Sequence, residues 1–452
     1  MRQAPVVTEL AGLAERTTRK INRRIVPFLL LLYTIAFLDR ANVGYASLGM
    51  TKELHFSNQV FGLGAGIFFL GYWLLEIPGA ILVERWSARK WISRIMLSWG
   101  AAAALTGLIH TRNEFYSARF LLGVAEAGFF PGVAVYLTHW FRAGDRAKAL
   151  AGFLIGAPVS QIVGSPLSAG LMNIHWFGWG GWRWLLIFEG VPAILAGVWT
   201  FFYLTDRPKD AKWLTVDERN WITHQLEEER RLLSPKTKAS LWRVLFRPEV
   251  LLLTAIWFLG TGVANAFILW LPKIIQKMSG YSPIVTTIVA AIPYWAALPF
   301  SLLVGWSSDR TGERRWHAAG SMFLAAAGFV VSQATDNLVI GVFALTIAAM
   351  GSNARQAPFW SVGTSLLTGT SSALAIAVIS SFGQLGSFVS PYVVGFLTDR
   401  TGTYAAGTLY FTGCMFVAGC LMLLLKPPKN AGNELESFKP HATLSRDTPG
   451  VL

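Results

Sequence analysis

The sequence predicts an all-α polytopic membrane protein of twelve transmembrane helices in two six-helix bundles. Three observations carry that prediction. Of 452 residues, 53% are hydrophobic and only 14% charged, whereas soluble proteins carry about 25% charged residues. Twelve stretches of bilayer-spanning length recur along the chain. One long polar stretch separates the first six of them from the last six.

The twelve stretches are 25–47, 58–82, 92–110, 115–140, 147–172, 182–204, 250–272, 284–307, 316–334, 337–366, 372–397 and 404–425. They divide the chain into an N-terminal segment (1–24), a first bundle (25–204), a connector (205–249), a second bundle (250–425) and a tail (426–452). The stretch 337–366 is longer than a bilayer requires, so it is tilted, kinked or drawn too long. Within the connector, 215–233 reads as a short amphipathic helix, and the polar tail reads as disordered.

The net charge of +14 is explained by its placement. Alternating the loops from a cytoplasmic N-terminus puts 29 Lys and Arg on the cytoplasmic side and 5 on the other, with 5 inside spans. That is the positive-inside pattern, with both termini cytoplasmic, and it predicts a multi-pass protein of the cell inner membrane. The partner of the basic charge is then the lipid bilayer, and no nucleic-acid partner is expected. The N-terminal apolar run is too long for a cleavable signal. Cys414 and Cys420 fall six apart on one helix, on different faces, so neither a disulfide nor a metal site is expected.

A repeat supports the two halves. Gly305 to Arg315 reads G-x-x-x-D-R-x-G-x-R-R through Gly305, Asp309, Arg310, Gly312 and Arg314. A worn copy lies 225 residues earlier, where Glu84 and Arg85 replace Asp-Arg, Ser87 replaces the glycine and Arg89 follows. This loop motif after the second and eighth spans resembles the signature of the major facilitator superfamily, whose parallel repeats rock against each other. An acid at a helix end and arginines on the loop can form a conformational latch that holds in one state and releases in the other.

Charges inside a bilayer cost about 2.5–3.5 kcal/mol each on insertion scales and usually face a cavity or partner. The candidates are Asp39, Arg40, Glu76, Arg119, Glu126, Glu189 and Arg355. Neighbouring helical residues point about 100° apart, so Asp39 and Arg40 cannot face one spot. Arg119 and Glu126, seven apart, share a helix face about 10 Å apart. Two acids and two arginines on spans 1 and 4 suit either a working site or a structural ion-pair cluster. The working site is preferred, because static buried pairs add little net stability.

The same residues carry a narrower resemblance. Asp39-Arg40-Ala41-Asn42, the string from Arg119 to Gly132 (R-F-L-L-G-V-A-E-A-G-F-F-P-G), Gly71-Tyr72 before Ile77-Pro78-Gly79, and Trp140-Phe141 are similar to the anion:cation symporter family. The resemblance runs from about 20 to 425. It implies that Asp39 and Glu126 carry protons, and that Arg40, Arg119 and Tyr72 belong to the anion site. It also implies a monomer with no cofactor beyond the coupling proton. Two places depart from the family. On span 11, Ile379 to Ser387 lacks both usual asparagines, with Gln384 supplying a longer amide. On span 10, Arg355 precedes Pro358-Phe359-Trp360. It would either add a third positive charge to the cavity, suiting a dicarboxylate, or snorkel toward the cytoplasmic end or pair with a backbone carbonyl. Gln161, Asn265, Tyr294 and Trp360 are further polar or aromatic candidates for the cavity, and Trp176, Trp179, Trp182 and Trp184 fit an interfacial belt. Glu76 and Glu189 are assigned to no site.

The expected function is proton-coupled symport of a small organic anion, such as a sugar acid or tartrate-like hydroxycarboxylate, by alternating access. An anion on the arginines removes their support for the ionised acid, which then takes a proton more readily; by reciprocity, protonation favours anion binding. The alternatives are exchange or efflux on the same fold, and a membrane-embedded enzyme. Short non-cytoplasmic loops with His175 standing alone speak against the enzyme. The 45-residue connector is too small for a sensor's output domain.

Overall fold

The computed structural model describes residues 3–232, 244–367 and 372–425, all helices and short loops, with no strand among the described residues. The expected tail and the middle of the connector lie outside the described residues. The first half contains α1 (Gln3–Glu53), α2 (Asn58–Arg85), α3 (Ala88–Thr106), α4 (Arg112–Glu126), α5 (Phe129–Thr138), α6 (Ala143–Leu154), α7 (Gly156–Leu171) and α8 (Gly181–Tyr203). Helix α9 (Val216–Leu232) lies in the connector, close to the expected 215–233. The second half contains α10 (Pro248–Ser279), α11 (Pro283–Val289), α12 (Ile292–Thr311), α13 (Arg314–Gln333), α14 (Leu338–Ala354), α15 (Gln356–Leu366), α16 (Ser372–Thr401) and α17 (Ala405–Leu424).

Among the described residues, ten stretches are long and apolar enough to cross a membrane. Four of them join two helices end to end: α4–α5, α6–α7, α11–α12 and α14–α15. The third and ninth expected spans correspond to α3 and α13. Both are helices, but each opens on cationic residues, Arg89, Lys90 and Arg94 in one and Arg314 and Arg315 in the other. The first span is far longer than 25–47, because α1 continues on both sides without a break.

The breaks have local causes. Between α4 and α5, Gly128 adopts a left-handed φ of 86°, which glycine tolerates without a Cβ clash, and Pro131 follows within a turn. Between α14 and α15 the chain turns at Arg355, and Pro358 has no N–H to return to the preceding turn. Within 337–366 the helix is therefore interrupted at a charged residue, Arg355, which itself keeps helical φ/ψ.

Helix α1 is fastened at both ends, to the connector at one and to α8 at the other. Near its start, Arg16 and Lys20 pair with Glu218 of α9 at 3.4 and 3.0 Å. At its other end Glu53 accepts from Trp182 Nε1 at 2.6 Å and from Arg183 Nε at 3.1 Å. Trp182 is thus buried and hydrogen-bonded rather than part of a belt, unlike Trp176 and Trp179, which are exposed.

Two ends of the molecule can be told apart: the connector end, near α9, and the opposite, far end. Hydrogen bonds between the two halves, among the described residues, gather at the far end. Asp399 accepts from the backbone N–H of Asn58 at 3.1 Å and of Gln59 at 2.7 Å. Gln59 donates to the Tyr392 hydroxyl, and Ser165 Oγ donates to the Thr287 carbonyl at 2.5 Å. Glycines make this seam close: a Cβ on Gly62 would stand 2.3 Å from the Pro391 carbonyl oxygen.

Gly62→Val should therefore prop the far-end seam open, since overpacking costs about 1–3 kcal/mol. Met172 lies at that seam, its sulfur 4.0 Å from the Thr287 hydroxyl; in protein lacking Cys414 and Cys420, a cysteine replacing it should react faster with a water-soluble maleimide. Unchanged labelling would mean the seam closes elsewhere.

Candidate functional site

Helix α1 presents Asp39 and Arg40 in different directions, as helical geometry requires. Asp39 is 2% exposed and accepts a hydrogen bond from Trp99 Nε1 of α3 at 3.1 Å. Arg40 turns toward α2 and α4. Its Nε donates to Glu126 Oε1 at 2.9 Å, and its Nη2 donates to the same oxygen. The guanidinium lies 5.1 Å from the centre of the Tyr72 ring and 5.5 Å from that of Phe68. A second guanidinium, Arg119, lies 4.9 Å from the Phe68 ring.

Three of these groups share one depth, and Arg119 lies about 10 Å nearer the far end. Arg40, Tyr72 and Glu126 each stand about 20 Å from the far end of their helices, at 1.5 Å per residue. Glu126 is 1% exposed with Oε2 unpaired, and Arg119 is 2% exposed with Nε unpaired. Arg119 lies within electrostatic reach of both Asp39 and Glu126. The cluster is formally neutral, yet only the Arg40–Glu126 pair is closed. Arg119 is left with an aromatic face and open donors, a geometry that fits an incoming carboxylate.

The second half contributes a cation of a different kind. Arg355, at the break between α14 and α15, is 1% exposed, and its Nε and Nη1 have no partner. Its guanidinium packs where Gly260 has no side chain and lies 5.2 Å from the Trp257 ring. Trp257 is stacked on Phe359 and tilted against Trp360, each with ring centres 4.8 Å apart. Among the described residues no carbonyl receives Arg355, and at 1% exposure its head does not reach water at the helix end. The acids of the second half, Asp309, Glu313, Asp336 and Asp399, all lie outside its expected spans. Nothing nearby in that half can neutralise Arg355.

A family model described as Major Facilitator Superfamily matches residues 29–375, over three quarters of the chain. The chain belongs to the Major Facilitator Superfamily. It is a multi-pass membrane transporter and not an enzyme, and the superfamily resemblance drawn from the loop motif is confirmed. A protein of Agrobacterium vitis described as "Putative tartrate transporter" is 41% identical over 93% of this chain and 98% of that relative. A "Quinolone resistance transporter" of Acinetobacter baumannii is 35% identical over 89% of this chain and 93% of its own length. The inward-open structure of the xylose transporter XylE from E. coli shares the fold with a TM-score of 0.74 at 14% identity, covering 92% of this chain and 99% of that one.

The superfamily's loop motif is only partly displayed. The side chains of Glu84 and Arg85 lie outside the described residues. Arg89 stands 3.8 Å from Asp206, which also accepts from the Arg89 N–H and the Ser87 hydroxyl at the start of α3. The acid engaged there is Asp206, which the repeat did not identify, although its Asp-Arg-Pro string follows span 6. In the second half, Gly312 caps α12 in a left-handed conformation, and Arg310 lies against the Trp306 ring. Arg315, not Arg314, reaches the end of α17, donating to the carbonyls of Leu423 and Leu425. Among the described residues, Gly305, Asp309 and Arg314 make no cross-helix bond.

The remaining candidates separate. Gln161 on α7 is 7% exposed with its carbonyl oxygen unpaired, and Gln384 on α16 is half-buried. Neither hydrogen-bonds to the charged cluster. Asn265 is committed to packing, donating to Ser387 Oγ at 2.9 Å, whereas the Tyr294 hydroxyl is unpaired. Trp99, which holds Asp39, went unnoticed because a tryptophan in a span carries no signal of its own. A shallow apolar depression lined by Ala102, Leu105, Leu108 and Leu121 contains none of these charged residues.

Proposed function

We propose that the chain is a proton-coupled symporter that imports a small organic anion, a tartrate-like hydroxycarboxylate, by alternating access. The observation that carries this reading is the half-closed cluster: Arg40 holds Glu126, while Arg119 is buried without an acceptor. A substrate carboxylate on the arginines would compete with Glu126 for Arg40. Once displaced, Glu126 would be a buried carboxylate without a cation, a costly state that a proton relieves. Anion and proton would then enter together. Arg355 would take a second carboxylate, and Trp360, Gln161, Gln384 and Tyr72 would line the space between.

The topology proposed with it has twelve spans, both termini cytoplasmic and residence in the cell inner membrane, on the strength of the 29-to-5 charge asymmetry. The far-end seam then faces away from the cytoplasm, and the state described here is the one closed to the outside. The carrier is proposed to work as a monomer with no cofactor. Export is the competing direction, favoured by the quinolone-resistance relative.

The test is uptake of labelled tartrate into proteoliposomes under an imposed inward proton gradient. Accumulation that vanishes when the gradient is collapsed supports symport. Transport that ignores the gradient, or that runs only as tartrate-for-tartrate exchange, would sink it.

A further inference from the structure

Beyond the cluster around Arg40, one buried acid has no role in the reading so far. Glu189 of α8 is 7% exposed, and both its carboxylate oxygens lack any hydrogen-bond partner. Helices α3, α1 and α7 pack against α8. From α1, Asp39 and Tyr45 lie within electrostatic reach of Glu189. Helix α7 carries no titratable residue, and those of α3 (Arg89, Lys90 and Arg94) sit in its first two turns at the connector end. On α8 itself, Arg183 is already engaged by Glu53 and by the carbonyls of Gly107 and Ile109. No cation is left to hold an ionised Glu189, and an unpaired buried carboxylate is costly, so Glu189 keeps its proton in this state.

The position of that proton is informative. Tyr45 lies beside Ser165, whose hydroxyl donates to the Thr287 carbonyl across the far-end seam. The unpaired hydroxyl of Tyr294, from the second half, lies within reach of Tyr45. Counting at 1.5 Å per residue, Ser165 is about 9 Å from the far end of its helix, Tyr45 and Glu189 about 12 Å, and Asp39 about 21 Å. By depth, these buried polar groups step from the seam toward the acid of α1, where Trp99 holds Asp39. Every member can gain or lose a proton or rotate a hydroxyl. None of them, Asp39 apart, belongs to the anion cluster.

We infer that Glu189 is a proton relay on an entry path separate from the anion site, running from the far-end seam past Ser165 and Tyr45 to Glu189 and then Asp39. When the seam parts, its hydroxyls meet the outside solution. A proton taken up by Glu189 passes to ionised Asp39, leaving Glu189 ionised and ready for the next. When the seam closes, Glu189 is left protonated and sealed. The anion never needs to leave room for the proton, because the two arrive from different sides of α1.

This inference rests on the symport reading, and the experiment separates the two. Wild-type, Glu189→Gln and Tyr45→Phe proteins are reconstituted, and gradient-driven tartrate accumulation is compared with tartrate exchange at equal pH. Glu189→Gln copies the neutral acid in shape but cannot pass a proton. It should keep exchange within about twofold while accumulation slows by on the order of a hundredfold, the low end of the range expected for a lost proton-transfer group. Tyr45→Phe should slow accumulation in the same sense, and Glu189→Asp should restore part of it. If Glu189→Gln does not yield folded protein, Glu189→Asp is compared with wild type, and slower accumulation at equal exchange is expected. Accumulation at the wild-type rate in the variants, or equal loss of accumulation and exchange, overturns the relay. A wild-type protein that exchanges tartrate but never accumulates it overturns the symport reading, and the relay with it.

Discussion

Glu126→Gln is expected to reduce gradient-driven tartrate accumulation by on the order of a hundredfold while tartrate exchange continues, as loss of a general acid–base group does. The amide keeps the size of the acid but cannot cycle a proton. The variant should also bind tartrate more tightly than wild type. Arg40 spends two donors on Glu126 Oε1, and a neutral amide competes for that guanidinium less well than a carboxylate. By reciprocity, a mimic of the protonated state favours the anion. Tighter binding at near-constant exchange distinguishes a coupling role from damage to the fold. Removing one partner of a buried ion pair costs about 3–5 kcal/mol, so thermal stability should be checked alongside, with Glu126→Asp as the variant that keeps the charge. A Glu126→Gln protein that accumulates tartrate at the wild-type rate would remove Glu126 from the coupling.

Arg355→Met is expected to weaken tartrate binding by about 10- to 150-fold, the equivalent of losing about 1.5–3 kcal/mol from a hydrogen bond to a charged group. A monocarboxylate should be affected much less, because it would use only the arginines of the first half. The same substitution should raise the thermal midpoint of the empty protein. Arg355 is 1% exposed, faces Trp257 and has two unpaired nitrogens, so its charge is a burden until an anion arrives. Stability gained as affinity is lost is the expected trade at a functional site. Equal tartrate affinity in the variant, measured by tryptophan quenching or calorimetry, would reduce Arg355 to a packing residue.

Much of the architecture was legible because a bilayer imposes long apolar runs and leaves few places for charge. Asp39, Arg40, Arg119 and Glu126 announced themselves by sitting where charge is expensive, and helical spacing alone placed Arg119 and Glu126 on one face. Spacing also foretold that Asp39 and Arg40 would part, and they do, one to Trp99 and the other to Glu126. What stayed hidden depends on contacts far apart in sequence. Asp206 caps α3 across 119 residues through Ser87, and no local pattern marks that pairing. Trp182 looked like its interfacial neighbours until Glu53 was seen to hold it. Arg355 lay in a span of suspicious length, but only the helix break at that residue shows why it neither pairs nor snorkels. Glu189 was visible as a charge in a span; its isolation was not, because isolation is a property of every helix around it.

The continuity of α1 bears on how such a carrier chooses its cargo. That helix is bolted at one end through Glu218 and at the other through Glu53, with Asp39 and Arg40 in between, so its charges are set into the first half like teeth in a jaw. Arg355 is set into the opposing jaw just as firmly, wedged between Gly260 and Trp257. Neither grip has to reshape itself during the cycle; what changes is the gap. Under the proposed function, the molecule works as a pair of calipers, and a cargo is accepted when its two ends span the distance at which the jaws can shut. Discrimination would then fall on the length of the anion more than on the decoration of its carbons.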